Sequence, residues 1–293
     1  MRKSGNVIRS SSTSNSSALA KYWNKKGGLT DFDVFEILTK KYKFNVLEFG
    51  NWSNQRERTN ILIDLCVGMA DIFTPLFNFK HSLHIKNFGL DKRLNFAFGS
   101  RGVKGALAHF EPNTMFISIK KFRNEKAKKL SDTSSFAHEY FHALDYFVGR
   151  WIEPIKEENF LSDTWDSENI TPNNPIRWQM SVLMLNYYEL QVKYNPDFLK
   201  VKTKRSYWAS PKECFARMSE QFVAYYTESI LRISKPRNYL SESLKHYLSY
   251  PNIYMTEKVM KELYLNWIDL VDMFADVMKG KEIKPTKQTK LNI

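Results

Sequence analysis

His138-Glu139-Tyr140-Phe141-His142 is the stretch that most constrains this chain, because two imidazoles four residues apart share a face only on a helix. The surrounding run, Phe136 to Val148, reads as that helix, with Gly149 as its natural stop. One turn stacks His138 above His142, so both reach a single cation while Glu139 stands beside it. Zinc hydrolysis uses this arrangement: two histidine ligands, an open position for water, and a carboxylate that takes the water's proton.

A catalytic zinc site wants a third protein ligand. Ser210-Pro211 opens a later predicted helix, to about Thr227, that carries Glu213 and Glu220 seven residues apart, hence on nearly the same face. Glu213 also fits a capping box, with Ser210 as N-cap and Glu at the third helical position, in which its carboxylate closes back on the cap amide. Glu220 also fits an outer acceptor that orients a ligand histidine. Spacing alone leaves these open.

The rest of the chain reads as an α+β protein. Predicted helices cover Thr30 to Tyr42, with Phe32, Phe35 and Leu38 on one face, and Asn54 to Phe73, an amphipathic helix on a sheet. Asn45 to Phe49, Leu94 to Phe98, Ala106 to Phe110 and Met115 to Lys120 read as strands of a small curled mixed sheet, separated by Gly99, Gly102, Gly105 and the turn at Pro112-Asn113. The C-terminal half is mostly helical. One helix starts at Asn174-Pro175, with Asn174 as N-cap, and runs to about Lys193. The last, Thr256 to Met278, lines up Val259, Leu263, Trp267, Leu270, Val271 and Phe274. Ahead of Asn174, 151–173 loses periodicity and carries a local charge of −5, which fits a lid favouring basic substrates or a solvated insert.

The 293 residues are 43% hydrophobic, enough for a core, and one domain is expected over 21–278 between a disordered basic Ser-rich tail, 1–20, and a flexible Lys-rich tail, 279–293. The first tail also formally resembles an organellar transit peptide, being basic, Ser-rich and acid-free. The net charge of +13 includes +3 and +4 from these tails, so the remainder is an ordinary basic surface and not the dense cationic face of a nucleic-acid reader. Weak polyanion contact through the tails stays open. Cys66 and Cys214 lie far apart without a CxxC, which excludes a disulfide framework or zinc finger and favours a reducing compartment. No run approaches the roughly 18 consecutive apolar residues of a membrane span, and no secretory leader is legible, so a soluble protein with no membrane partner is expected.

Several runs in order resemble a known family: Phe44 to Trp52, Phe98-Gly99-Ser100-Arg101-Gly102, Ala108-His109-Phe110-Glu111-Pro112, Ala137 to Asp145, Ser210-Pro211-Lys212-Glu213 with Phe215-Ala216-Arg217 and Glu220, then Tyr239-Leu240 and Tyr250-Pro251. Together, over roughly 40 to 275, they are similar to the first of the large polyvalent protein-associated domains of phages and conjugative elements. The resemblance implies a zincin-like metallopeptidase fold, one zinc per chain, a protein or peptide substrate from the host or the element itself, and a place in the host cytoplasm or packaged in a virion. Its likeness to zincins with a Glu-x-x-Ala helix implies Glu213 as third ligand, with Glu220 as alternative. The companion reading is a non-catalytic, virion-associated or DNA-accompanying protein on the same scaffold.

On the first reading Glu139 is the general base. Asp145, seven residues after His138, is either an outer partner of a ligand or a plain helix-pairing acid. Candidate donors to the carbonyl oxygen are Tyr207, Arg217, Tyr225 and His109. Arg217 equally fits a partner for an acid, and His109 a packing residue on its strand. Extended substrate would pair with a sheet edge, supplied by Ala106 to Phe110 or Met115 to Ile119. His81 and His84 form an H-x-x-H with no acid or Cys near enough to complete a second metal site.

Overall fold

Leu47–Phe49 (β1), Asn95–Phe98 (β2), Ala108–Glu111 (β3) and Phe116–Ile119 (β4) form one mixed sheet in the order β1-β2-β4-β3. They belong to a computed structural model that describes residues 31–51, 53–79, 85–101, 106–120, 133–154, 159–167, 170–171, 173–198, 207–233 and 240–283. The predicted tail 1–20 and residues 284–293 of the predicted tail 279–293, together with His81 and His84, lie outside the described residues. By its internal contacts the chain divides into two compact units, 1–139 with 232–241, and 140–231 with 242–293. The class is α+β.

The first unit holds the sheet. β1, β2 and β4 run parallel, with Leu47 opposite Phe96 and Phe96 opposite Ile117; β3 returns antiparallel, His109 opposite Ser118. β2 and β4 are buried at every position, as strands covered on both faces must be, and their apolar sequences NFAF and FISI reflect it. Of the two segments predicted as a possible edge, β3 is one and β4 is interior.

Asp31–Glu36 (α1) continues into a π-helical turn, Ile37–Lys41. Its buried stripe is Val34, Ile37 and Leu38, while Phe32 and Phe35 are exposed. The expected Phe32/Phe35/Leu38 face is therefore corrected: two apolar stripes compete on this short helix and the aliphatic one enters the core. Gln55–Gly68 (α2) starts with a complete capping box between Asn54 and Glu57 and is prolonged by turns through Leu76. It is not amphipathic as expected, since Ile61, Leu62, Ile63, Leu65, Cys66, Val67, Met69, Ala70, Ile72 and Phe73 are all buried. The stretch Glu57–Leu76 is long and apolar enough to cross a membrane, yet 78% of that window is buried inside the protein, as in the core helix of a folded domain. Gly68 is the point where Leu240 closes in; a Cβ there would stand 2.6 Å from the Leu240 side chain.

Phe136–Phe147 (α3) runs from the first unit into the second. Its first turn is set within the sheet-bearing unit. The Phe136 ring lies 6.1 Å from that of Phe73 and 6.3 Å from that of Phe96, and the Ala137 amide donates to the Leu240 carbonyl at 2.8 Å. Instead of stopping at Gly149, the helix widens into a π-helical turn, Val148–Ile152.

The second unit is helical, with Pro175–Tyr194 (α4), Pro211–Tyr225 (α5), Leu244–Leu248 (α6) and Glu257–Met278 (α7). α7 packs mainly along α4, and its predicted stripe from Val259 to Phe274 is buried throughout. Trp267 is the hub. It is fully buried, donates through Nε1 to Ser219 Oγ of α5 at 3.1 Å, stacks on Phe222 at 4.9 Å and lies 5.8 Å from Phe141 of α3. Phe215 of α5 meets Phe141 edge-on at 6.0 Å, so α3 and α5 are held together by rings and not by polar contacts alone.

The segment after α3 is tied down. Asn174 makes no side-chain cap to α4; Glu153 does so instead, accepting the amides of Ile176 at 3.1 Å and Arg177 at 2.9 Å. A carboxylate at this helix start answers both the open amides and the positive end of the dipole. The buried Arg177 then ties the Gly149 and Glu153 carbonyls to the Thr164 hydroxyl. Gly149 is needed for close approach: a Cβ would lie 2.5 Å from Leu161 N and 2.6 Å from Asn159 O, which are backbone atoms with nowhere to turn. Gly149→Ala is expected to destabilise the fold by about 1–3 kcal/mol in urea denaturation; unchanged stability would mean that 159–161 yields freely.

Candidate metal centre

One ligand atom from each of His138, His142 and Glu213 comes together, all within 4.8 Å of one another. The two histidines are stacked by one turn of α3, as their spacing requires. Glu213 arrives on the first turn of α5, carried in by the Phe215–Phe141 contact beside it. His142 Nε2 stands 3.3 Å from Glu213 Oε1. His142 and Glu213 are buried, Glu139 is 6% exposed, and His138 is half-buried and so the most open of the set.

The capping-box reading of Glu213 fails. The Ser210 amide is bonded to the Tyr207 carbonyl at 3.1 Å, its hydroxyl donates to the same carbonyl at 3.0 Å, and no side-chain cap forms. Glu213 is thereby free of the helix end and turns inward. Its Oε2 accepts from Arg217 Nη2 at 2.9 Å, four residues on, with both side chains 3% exposed. Of the two readings of Arg217, the partner for an acid is the one observed.

Glu220 lies outside the ligand cluster, two turns and about 10 Å further along α5. Its oxygens accept the hydroxyls of Tyr254 at 2.8 Å and Tyr247 at 3.2 Å. Gln221 brings that segment in by exchanging two hydrogen bonds with the Met255 backbone, at 2.8 and 2.9 Å. Burial comes first in holding both tyrosine hydroxyls well above their ordinary pKa, with the Glu220 charge next, so they stay protonated donors.

Two imidazoles and a carboxylate are donor types that zinc accepts, and tetrahedral zinc with bonds of about 2.0–2.2 Å would space them about 3.3–3.6 Å apart, inside the 4.8 Å bound on these atoms.

The remaining candidates sit elsewhere. Tyr207 is exposed on a 3-10 turn, Tyr207–Ala209, ahead of α5. Tyr225, at the far end of α5, packs its ring edge-on against Tyr264 at 5.1 Å. His109 is a hydrogen-bonding residue of β3: its Nε2 is 3.1 Å from Glu111 Oε1, in a cluster where Arg101 bridges Glu111 and Glu48. Asp145 is fully buried and accepts both the amide, at 2.8 Å, and the hydroxyl of Ser162, so it latches the 159–164 segment onto α3.

One residue near the cluster carries no periodic or motif signal in the sequence. Phe160, inside the aperiodic acidic stretch, sets its ring edge-on to that of His142 at 6.3 Å, and the Lys212 ammonium caps the same ring at 4.9 Å. Lys212 also stands 4.0 Å from Asp163. At least this part of 151–173 is therefore held against α3 and α5 and is not a solvated insert.

Burial pushes the Asp145 carboxyl up to about 7, against the hydrogen bonds from Ser162, which act to lower it. The unfolded chain loses this proton near pH 4, whereas the folded chain keeps it to about pH 7. The folded state therefore gains most on the acid side, and this contribution fades as pH rises from about 4 to about 7. Asp145→Asn keeps the acceptor for the Ser162 amide and supplies a donor to its hydroxyl. The variant's stability relative to wild type is expected to rise across that window in paired urea titrations; parallel profiles would contradict it. The chain matches no model of a known protein family, no curated protein and no solved structure, so the chemistry of the site rests on its own geometry.

Proposed function

We propose that this chain is a zinc-dependent metallopeptidase on a zincin-like scaffold, acting on a protein or peptide of a host cell or of the mobile element that encodes it. The convergence of His138, His142 and Glu213 around one point carries the reading. The ordered motifs that resemble the polyvalent-protein family support the scaffold and the phage or conjugative-element setting.

His138, His142 and Glu213 would hold the ion. Bound there, zinc supplies Lewis acidity that activates a water molecule and polarises the scissile carbonyl. Glu139, next to His138 on the same helix and 6% exposed, takes the proton from the attacking water and returns it to the leaving amine. Its burial strengthens that exchange, because a carboxylate shielded from bulk water keeps the proton within the site. Arg217 is engaged by Glu213 and serves the ligand, not the substrate.

Elemental analysis of the untagged protein should find about one zinc per chain, and His142→Ala should lose it. Glu139→Gln should retain the metal and lose hydrolysis of a peptide library by at least about 10²–10⁴-fold. Absence of zinc after reconstitution at neutral pH, or turnover that survives Glu139→Gln, would reject the reading in favour of the non-catalytic one.

A further inference from the structure

Glu213 presents its two oxygens to two different partners, and this difference has a functional meaning. Oε1 is the oxygen on the histidine side, 3.3 Å from His142 Nε2. Oε2 accepts the charge-assisted hydrogen bond from Arg217 Nη2 at 2.9 Å. We propose that Arg217 is a positioning residue that withholds Oε2 from the cation and so holds Glu213 to ligation through a single oxygen. The inference rests on the metal-centre reading above and adds to it the way the third ligand binds.

Several observations converge. A carboxylate beside a divalent ion binds through one oxygen or both, and what decides is whether its outer oxygen has a better use. Here the outer oxygen is buried with the rest of a 3% exposed side chain, where an unmet acceptor is costly, and the guanidinium meets it. Attraction to the cation does not explain Arg217, since a buried guanidinium near a dication is repelled by it. A partner for Oε2 does explain it.

The pair is also rigid. Glu213 and Arg217 are one turn apart on α5, and that helix is fixed between them and just beyond them by Phe215 against Phe141 and by Ser219 against Trp267. Rotation of the carboxylate to chelate the ion would break the Arg217 bond between two side chains that are each only 3% exposed. Such restraint leaves the ion with three protein donor atoms in place of four, the count that distinguishes an open catalytic zinc site from a closed structural one.

Cobalt(II) substituted into the protein reports coordination number directly. The wild-type chain should take up one Co2+ with the intense visible bands of a four-coordinate ion. Arg217→Met, which releases Oε2, should shift the spectrum to a higher coordination number, with band intensity falling several-fold. An unchanged spectrum in a Co2+-loaded variant would overturn the role of Arg217 and leave the metal centre standing. No Co2+ or Zn2+ uptake by the wild type would overturn the metal centre, and this proposal with it. Should Arg217→Met fail to fold, X-ray absorption of the zinc-loaded wild type decides without any variant. The long metal-to-carboxyl-carbon distance of one-oxygen ligation supports the proposal, and the short distance of a chelating carboxylate overturns it.

Discussion

A carboxylate turned into the interior of a protein has to have both oxygens met, and the second unit of this chain is organised around doing so for Glu213. Arg217 answers one oxygen and the histidine side of α3 faces the other. Neither partner works unless α5 lies against α3 at one rotation and one height. The aromatic contacts of Phe141, Phe215, Phe222 and Trp267 set that register, because rings of this size interlock in few ways. Leaving a buried charge without its partner costs about 3–5 kcal/mol, so the ion pair and the ring cluster each penalise slippage of the other.

The same economy of clips governs the stretch that follows the histidine helix. It carries acids without periodicity, and two of those placed have a specific task. Glu153 caps α4, and Asp163 approaches Lys212. From α3, Asp145 holds the amide and hydroxyl of Ser162, while Arg177 gathers the backbone of Gly149 and Glu153. The net effect is to press Phe160 against His142, giving that imidazole an apolar wall on one side. A few such bonds anchor the 159–164 segment, and the scaffold that they anchor it to is α3 itself.

The start of α3 is governed from the sheet-bearing unit. Phe136 between Phe73 and Phe96, and the Ala137 amide on the Leu240 carbonyl, fix the first turn just ahead of His138 and Glu139. Gly68 admits the Leu240 side chain that goes with that carbonyl. A helix held firmly at its start and ringed by aromatics further on is a suitable mount for ligands whose usefulness depends on positions accurate to a fraction of an ångström.

Local order was open to inspection from the residues alone. The i, i+4 histidines required a helix, the alternation of apolar runs and Gly or Pro-Asn turns marked all four strands within a residue or two, and the 3.6 period of Val259 to Phe274 named the buried face of α7. Where two local rules competed, sequence could not arbitrate. Ser210 with Glu213 satisfies the pattern of a capping box as well as that of a ligand. Asn174-Pro175 satisfies that of a helix cap although Glu153 does the capping, and Gly149 that of a helix stop although its task is to let 159–161 come close. Such choices depend on groups distant in sequence. The residues by themselves determined that a paired-histidine helix exists. Only tertiary structure decided that Glu213 and not Glu220 lies with the two histidines, because two tyrosines from 247–254 claim the second carboxylate and ring packing delivers the first to His142.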